Sequence, residues 1–537
     1  MIFATPEAEA SFRTHVRQAA PFVRLGVRAA LVLRRIFGVR AARIPVVKIA
    51  CGPLESLLAM HNTAATQDAA APHAAPPAKA PARCELGEEV LESTGTATTW
   101  DLCVVGSGPG GAVTAAHAAE RGESVLVIEA GEPVDDSVGH HTVAQMMADF
   151  AYGGQEVALG PSPVPYAQGR AWGGGSEINS GLYHHIPSAV AQRWASAAGL
   201  SATDLQDATA EVERRLPIRT QPAASLGCYR DSPIEAMRAG LGWDGGVIPR
   251  WRDYTGDGFV HYGMSSTYLK TALERGAVRM LGHRVESISA GDEGSAGDDG
   301  IEVRAVGADC SHTIRASNVA LAAGVIGSAE ILKRSRLAAT REFGFHFHAM
   351  VREVARFDRV VNDLDDIDPH QAWSTDNRFK IGAAVSTPEL LAATMAQKNL
   401  ALPTDPEHYA ASYLSFASDG RNGLFAAGSH LYPYFLPSAA MKKTAAEAGS
   451  TLRDAIGAAG GRVGGEPKDG YSTVHVFGSM PLGASAVVDA TGAVRGTGGR
   501  VFVRDAGILP SHPLVNPQGP LMHLITALEA RRIGARR

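Results

Sequence analysis

Cysteine is scarce in this chain and its few copies are scattered. Cys51, Cys84, Cys103, Cys228 and Cys310 are odd in number, far apart and contain no C-x-x-C, so neither a disulfide framework nor a zinc site is suggested, and a reducing compartment is the simplest reading. No uninterrupted apolar run reaches the roughly 20 residues that a membrane-spanning helix needs. A basic surplus is missing too: a formal net charge of -5 argues against a nucleic-acid protein. What is present is ordinary for a soluble globular protein, 45% hydrophobic and 20% charged residues, in a chain long enough for two or three domains.

Two local absences mark the first hundred residues. Between Glu9 and Glu55 there is no acidic residue, while Arg17, Arg24, Arg28 and Arg35 share one helical face and Phe22, Leu25, Val32 and Ile36 spread over the remainder. This is a basic amphipathic helix, which either lies on an anionic membrane surface or a partner, or packs on its own protein with arginines in solvent. The chain is accordingly expected in the cytoplasm, with peripheral membrane contact as one option. From Asn62 to Arg83 large apolar residues are nearly missing and alanine and proline dominate, which describes a linker.

The first strong positive signal is WDLCVVGSGPGGAVTAAHAAERGESVLVIEAG, Trp100 to Gly131. Leu102–Val105 reads as a buried strand, Gly106, Gly108 and Gly111 as a G-x-G-x-x-G turn, Ala112–Glu120 as a helix, and Ser124–Ile128 as a second strand ending in Glu129. Glycines let the backbone turn tightly and approach a pyrophosphate, whose charge sits at the helix N-terminus, and the acidic residue accepts hydrogen bonds from a ribose diol. The pattern predicts a dinucleotide site. Its spacing alone does not separate FAD from NAD.

Three further blocks narrow the choice: QGRAWGGGSEINSGLYHHIP from Gln168, the strand-glycine-helix NVALAAGVIGSAEILKRS, and the tail GGRVFVRDAGILPSHPLVNPQGPLMHLITALEARRI. With the glycine turn, their order and spacing resemble the glucose-methanol-choline (GMC) family of FAD-dependent oxidoreductases, from about Trp100 to the C-terminus. The resemblance implies an α/β fold in which a Rossmann-like FAD-binding domain is interleaved with an antiparallel-sheet substrate domain, behind the basic N-terminal helical extension. The expected division is 1–61 for the extension, 62–98 for the linker, 99–187, 264–340 and 471–537 for the FAD-binding parts, and 188–263 and 341–470 for the substrate domain. It also implies that Gly106, Gly108 and Gly111 meet the pyrophosphate, Glu129 the adenosine ribose and the Val285 backbone the adenine. Arg170, Gly174, Ser176 and Asn179 belong to the loop along the flavin, and Asp505 lies near the ribityl and pyrophosphate. Gln168 stands where some members attach the flavin through a histidine, so noncovalent FAD is expected.

By the same resemblance, His475 and Asn516 face flavin and substrate. Alcohol oxidation removes a hydride from carbon and a proton from oxygen, and a neutral imidazole is a natural acceptor for the proton. Asn516 would donate a hydrogen bond to the alcohol oxygen and fix its orientation. Pro517 and Pro520 bracket a helix, Leu521–Ile533, whose N-terminus would stabilise negative charge on the flavin; Pro520 replaces the threonine usual in the family. His512 and His523 are ranked below Asn516, and His348 is given a structural role closing a strand. Glu177 either caps the loop or faces solvent.

The expected reaction is oxidation of a small primary or secondary alcohol, with oxygen, a quinone or another protein as electron acceptor. A flavin-containing lyase of the same fold and a noncatalytic flavin-binding protein are the alternatives; a photochemical decarboxylase is disfavoured because no cysteine falls in a flavin block. Tyr432, Tyr434 and Phe435 either line a substrate pocket or serve as core. No residue set suggests a metal.

Overall fold

A computed structural model describes residues 99–534, except 135–155, 162, 256–257, 290–299, 340–341, 365, 385–390, 392–393, 396–397, 399, 401–402, 428–429 and 466–469. The expected basic helix and linker lie outside the described residues, as do Cys51 and Cys84.

Two large sheets organise the chain. In sequence their strands are β1 (Trp100–Val105), β2 (Val125–Ile128), β3 (Asp244–Val247), β4 (Val278–Met280), β5 (Arg284–Ser289), β6 (Ile301–Val306), β7 (Ser311–Leu321), β8 (His346–Arg356), β9 (His370–Trp373), β10 (Lys380–Ala383), β11 (Tyr409–Ala417), β12 (Arg462–Val463), β13 (Val476–Phe477) and β14 (Val501–Val503). Three helices bear on the site: α1 (Pro109–Glu120), α2 (Gly324–Arg334) and α3 (Gln518–Gly534).

The first sheet runs β5-β6-β7-β1-β2-β4, with β14 paired to the C-terminal end of β7. Contacts among β7, β1, β2, β4 and β14 are parallel, and β5-β6-β7 is antiparallel. Leu102 to Val105 are all buried, as a central parallel strand covered on both faces requires. α1 begins at Pro109, earlier than the expected Ala112, because proline's fixed φ and missing N–H suit a first helical position. Its alanines, buried at Ala112, Ala115, Ala116, Ala118 and Ala119, allow close packing on neighbours all round.

The second sheet is antiparallel, β12-β8-β11-β10-β9-β3, with β13 also on β8. Strand alternation gives β8 two unlike faces. One presents Phe347 and Ala349 to the core, and helix Ala439–Ala458 packs on this sheet through Met441, Leu452 and Ile456. The other presents His346, His348, Met350 and Arg352.

Several expected boundaries move. Of the segment 188–263 only β3 joins the second sheet, whereas helix Ala202–Arg215 packs on α3, on the nucleotide side. Conversely β13, expected with the nucleotide-binding tail, pairs with β8. HLYPYFLP forms a separate ribbon with Gly420–Ala427, where Phe435 is core against Phe347 and Tyr434 is exposed. α3 starts at Gln518, before the expected Leu521: Leu521 N–H reaches Pro517 O at 2.9 Å. The cysteine reading also needs correction, since Cys103 and Cys228 are free thiols but Cys310 is disulfide-bonded. Cys310 lies with His283 and His312 within 4.8 Å, and as a disulfide it brings no thiolate to a metal. Among the described residues no helix is long and apolar enough to cross a membrane.

Candidate active site

At the C-terminal edge of the first sheet, the glycines of the turn do different jobs. Gly106 has φ +99°, and a Cβ there would lie 2.3 Å from Ala322 O; at Gly111 it would lie 2.0 Å from Gly106 O. Both are required by the protein's own packing. Gly108, the residue before α1, has nothing within 4 Å of its Cβ position. Its side opens onto space over a helix N-terminus, where a Cβ would intrude only on a bound group.

Ser107 ties this turn to two other segments. Its N–H and Oγ donate to Glu129 Oε2 at 2.9 and 2.7 Å, and its Oγ accepts from Gly173 N–H at 3.0 Å. Glu129 is buried, its Oε1 accepts from Gly131 N–H, and burial raises its carboxyl pKa. The start of the edge strand carrying Val285 is brought beside it, because His283 N–H donates to Glu129 O at 3.0 Å. Gly174 lies against Gly108, Ser176 Oγ donates to Gly173 O and accepts from Met264 N–H, and Arg170 Nε donates to Ala130 O. Asn179 links the glycine loop to the head of α3 through Gln518. Asp505, at the end of β14, bonds Ser328 of α2 and Gly507 N–H, and burial raises its carboxyl pKa to about 6. Gln168, without a nucleophilic atom, reaches Glu156 at 3.2 Å. Open room over Gly108 with these converging elements fits a dinucleotide such as FAD.

The second sheet brings the chemistry. His348, 1% exposed, meets His475 with Nδ1 to Nδ1 at 2.9 Å, and its ring lies 4.0 Å from that of His512. His348, near the start of β8, thus also touches His475. His475 is anchored by its N–H on Thr473 Oγ1 and by its carbonyl, which accepts from His348 N–H. The residue as a whole is half-buried, with its ring packed against that of His348. Burial first, then the positive charge of Lys380, holds the His475 pKa well below the usual histidine value. His512 Nδ1 accepts from Leu514 N–H, while His523 is buried in α3 against the Tyr183 hydroxyl at 2.8 Å.

Asn516 is connected to this group through Lys380 of β10, whose Nζ donates to Asn516 Oδ1. Lys380 is 3% exposed, and burial lowers its pKa to about 7. In its charged form Lys380 only donates, and so holds the amide with Oδ1 toward the lysine and the Nδ2 donor turned away. His184 completes the surroundings, buried with Nε2 on Gln371. Sequence reasoning missed Lys380 and His184. A lysine inside the apolar run FKIGAA is the signal that would have found the first.

Two family models describing GMC oxidoreductase match residues 89–352 and 440–524. This chain belongs to the GMC oxidoreductase family. Members generally use FAD, so the chain is an oxidoreductase with the flavoprotein character of that family. A GMC-type oxidoreductase of Sinorhizobium fredii is 25% identical over 79% of this chain and 92% of its own length. Long-chain-alcohol oxidase of Arabidopsis thaliana is 38% identical over 18% of this chain and 13% of its own. In structure, pyridoxine 4-oxidase from Mesorbium loti superposes with TM-score 0.66 at 17% identity, covering 81% of this chain and 99% of that one. This last likeness shows the mixed α/β fold.

Proposed function

We propose that this GMC protein oxidises a primary or secondary alcohol to an aldehyde or ketone, with His475 as proton acceptor and Asn516 as the donor that orients the hydroxyl. Noncovalently held FAD, when bound, supplies the hydride acceptor. The observation that carries the reading is the paired arrangement of the two side chains. Each neutral imidazole has one N–H, so in the His348–His475 contact one Nδ1 donates and the other accepts. With His475 donating, its Nε2 keeps a lone pair for the alcohol proton. Once that proton arrives, the hydrogen bond to neutral His348 remains in place and supports the cation. On the other side, Lys380 holds Oδ1 of Asn516 so that Nδ2 can donate to the alcohol oxygen. Burial and the Lys380 charge lower the His475 pKa and so favour the neutral ring, the form that can accept a proton.

The glycine turn, Ser107, Glu129, Val285, Asp505 and the head of α3 after Pro517 would hold the cofactor, and Gln168 leaves it unattached. The alcohol-oxidase name of one partial relative supports the reaction class and leaves the substrate open. The test is anaerobic. The purified holoprotein is mixed with aliphatic, aromatic and sugar alcohols while the flavin absorbance is followed, and air is then readmitted to learn whether oxygen accepts the electrons. Bleaching by an alcohol is expected, and His475→Ala should slow it about 100- to 10,000-fold with flavin content retained. Cleavage of a cyanohydrin without bleaching would instead establish a lyase.

A further inference from the structure

The site-facing side of the second sheet carries donors that no carboxylate or carbonyl among the described residues accepts from. Arg352 follows His348 and Met350 on the same face of β8, and its cross-strand partner is Tyr413 of β11. The Arg352 Nε is buried without a hydrogen-bond partner, and Nη2 reaches only Met350 Sδ at 3.8 Å. No carboxylate pairs with this guanidinium among the described residues. The Tyr413 hydroxyl, 6% exposed, accepts from Gln371 Nε2 at 3.2 Å, and its own proton goes to no acceptor among those residues. The next residue shows the contrast: Glu353, on the opposite face, bonds both Lys398 and Arg453.

A guanidinium that is partly buried, with its Nε out of contact with solvent and no counter-charge among the described residues, is left under-compensated, and an anion reaching its open edge would offset the desolvation of the charge. The same surface continues from Tyr413 to Lys380, whose Nζ lies 5.4 Å from the tyrosine ring, and from Lys380 to Asn516. A rise of about 3.3 Å per strand residue puts Arg352 roughly 13 Å along β8 from His348. We propose that the alcohol substrate carries a carboxylate, held by Arg352 in a planar, two-bond contact with the Tyr413 hydroxyl beside it, while its hydroxyl end meets His475 and Asn516. This rests on the alcohol-oxidising reading above and adds the substrate's charge and its approximate length. Guanidinium geometry matches a carboxylate in a way that a neutral alcohol tail does not.

The experiment uses holoprotein and a series of straight-chain hydroxycarboxylates of increasing length, each paired with its methyl ester. Anaerobic flavin bleaching gives kcat/KM, and non-oxidisable straight-chain carboxylates are titrated separately for a perturbation of the flavin spectrum. Wild type is expected to prefer at least one acid over its ester by 10-fold or more, roughly the value of one charge-assisted contact. Arg352→Gln should abolish that ratio and the carboxylate-induced spectral change, and Arg352→Lys should restore part of both. If esters are oxidised as well as acids by wild type, or the ratio survives Arg352→Gln, the proposal is overturned while alcohol oxidation stands. If carboxylates perturb the spectrum through Arg352 but no alcohol bleaches the flavin, the anion site is upheld and the reaction assignment fails.

Discussion

Lys380 acts on both side chains proposed to meet the alcohol, Asn516 and His475, through different physics. Toward Asn516 it acts by hydrogen bonding, and toward His475 by charge. Lys380→Met keeps the length and removes both. The amide of Asn516 then loses its fixed orientation, and kcat/KM for the true substrate should fall roughly 10- to 100-fold, the worth of a hydrogen bond to a charged group. The charge effect has a definite sign. Lys380 lowers the His475 pKa, so removing it raises that pKa, and the acid limb of the kcat/KM profile should move to higher pH. A packing defect alone would lower activity without displacing the limb. An unmoved limb in the variant would show that Lys380 does not communicate with the proton acceptor.

Among the elements, the glycine turn offers a comparison within one segment. Gly106 is in the left-handed region with a backbone oxygen 2.3 Å from a would-be Cβ, whereas Gly108 faces open space. Gly106→Ala is therefore expected to lower the unfolding midpoint of the protein with or without flavin. Gly108→Ala should leave the flavin-free midpoint within experimental scatter and weaken FAD binding by at least 10-fold, measured by equilibrium dialysis; an affinity equal to wild type would remove the cofactor from this turn. This element was legible in the sequence because strand, turn and helix obey local rules within thirty residues. Its helix starts where Pro109 allows, a detail that alanine periodicity hides. The polar face of the second sheet was not legible for the opposite reason. Lys380, Tyr413 and Arg352 sit on three strands that meet only through pairing, Lys380 against Ser415 and Arg352 against Tyr413. The His348–His475 contact was hidden similarly: the neighbour of His348 in the strand is apolar Phe347, and His475 is far along the chain.

For the whole molecule, the same burial that keeps the site's imidazoles neutral makes folding depend on pH. His184, after the glycine loop, His512, in the C-terminal loop, and His523, inside α3, are each pushed down to about 3 by burial. In the unfolded chain they titrate near 6.5. Between those values the unfolded state binds more protons, so stability rises with pH, and it is lost as pH falls below about 6.5. Each histidine contributes a slope of up to about 1.4 kcal/mol per pH unit in that window. His523 is the one to change, because its partner is the Tyr183 hydroxyl rather than His348 or His475. Glutamine keeps a polar group for Tyr183 and does not titrate. His523→Gln should flatten the dependence of unfolding free energy on pH between about 4 and 6 by roughly one histidine's share, in denaturant titrations at several pH values. A slope identical to wild type would mean that His523 is protonated in the folded protein, and that α3 holds a charge where the structure places a neutral ring.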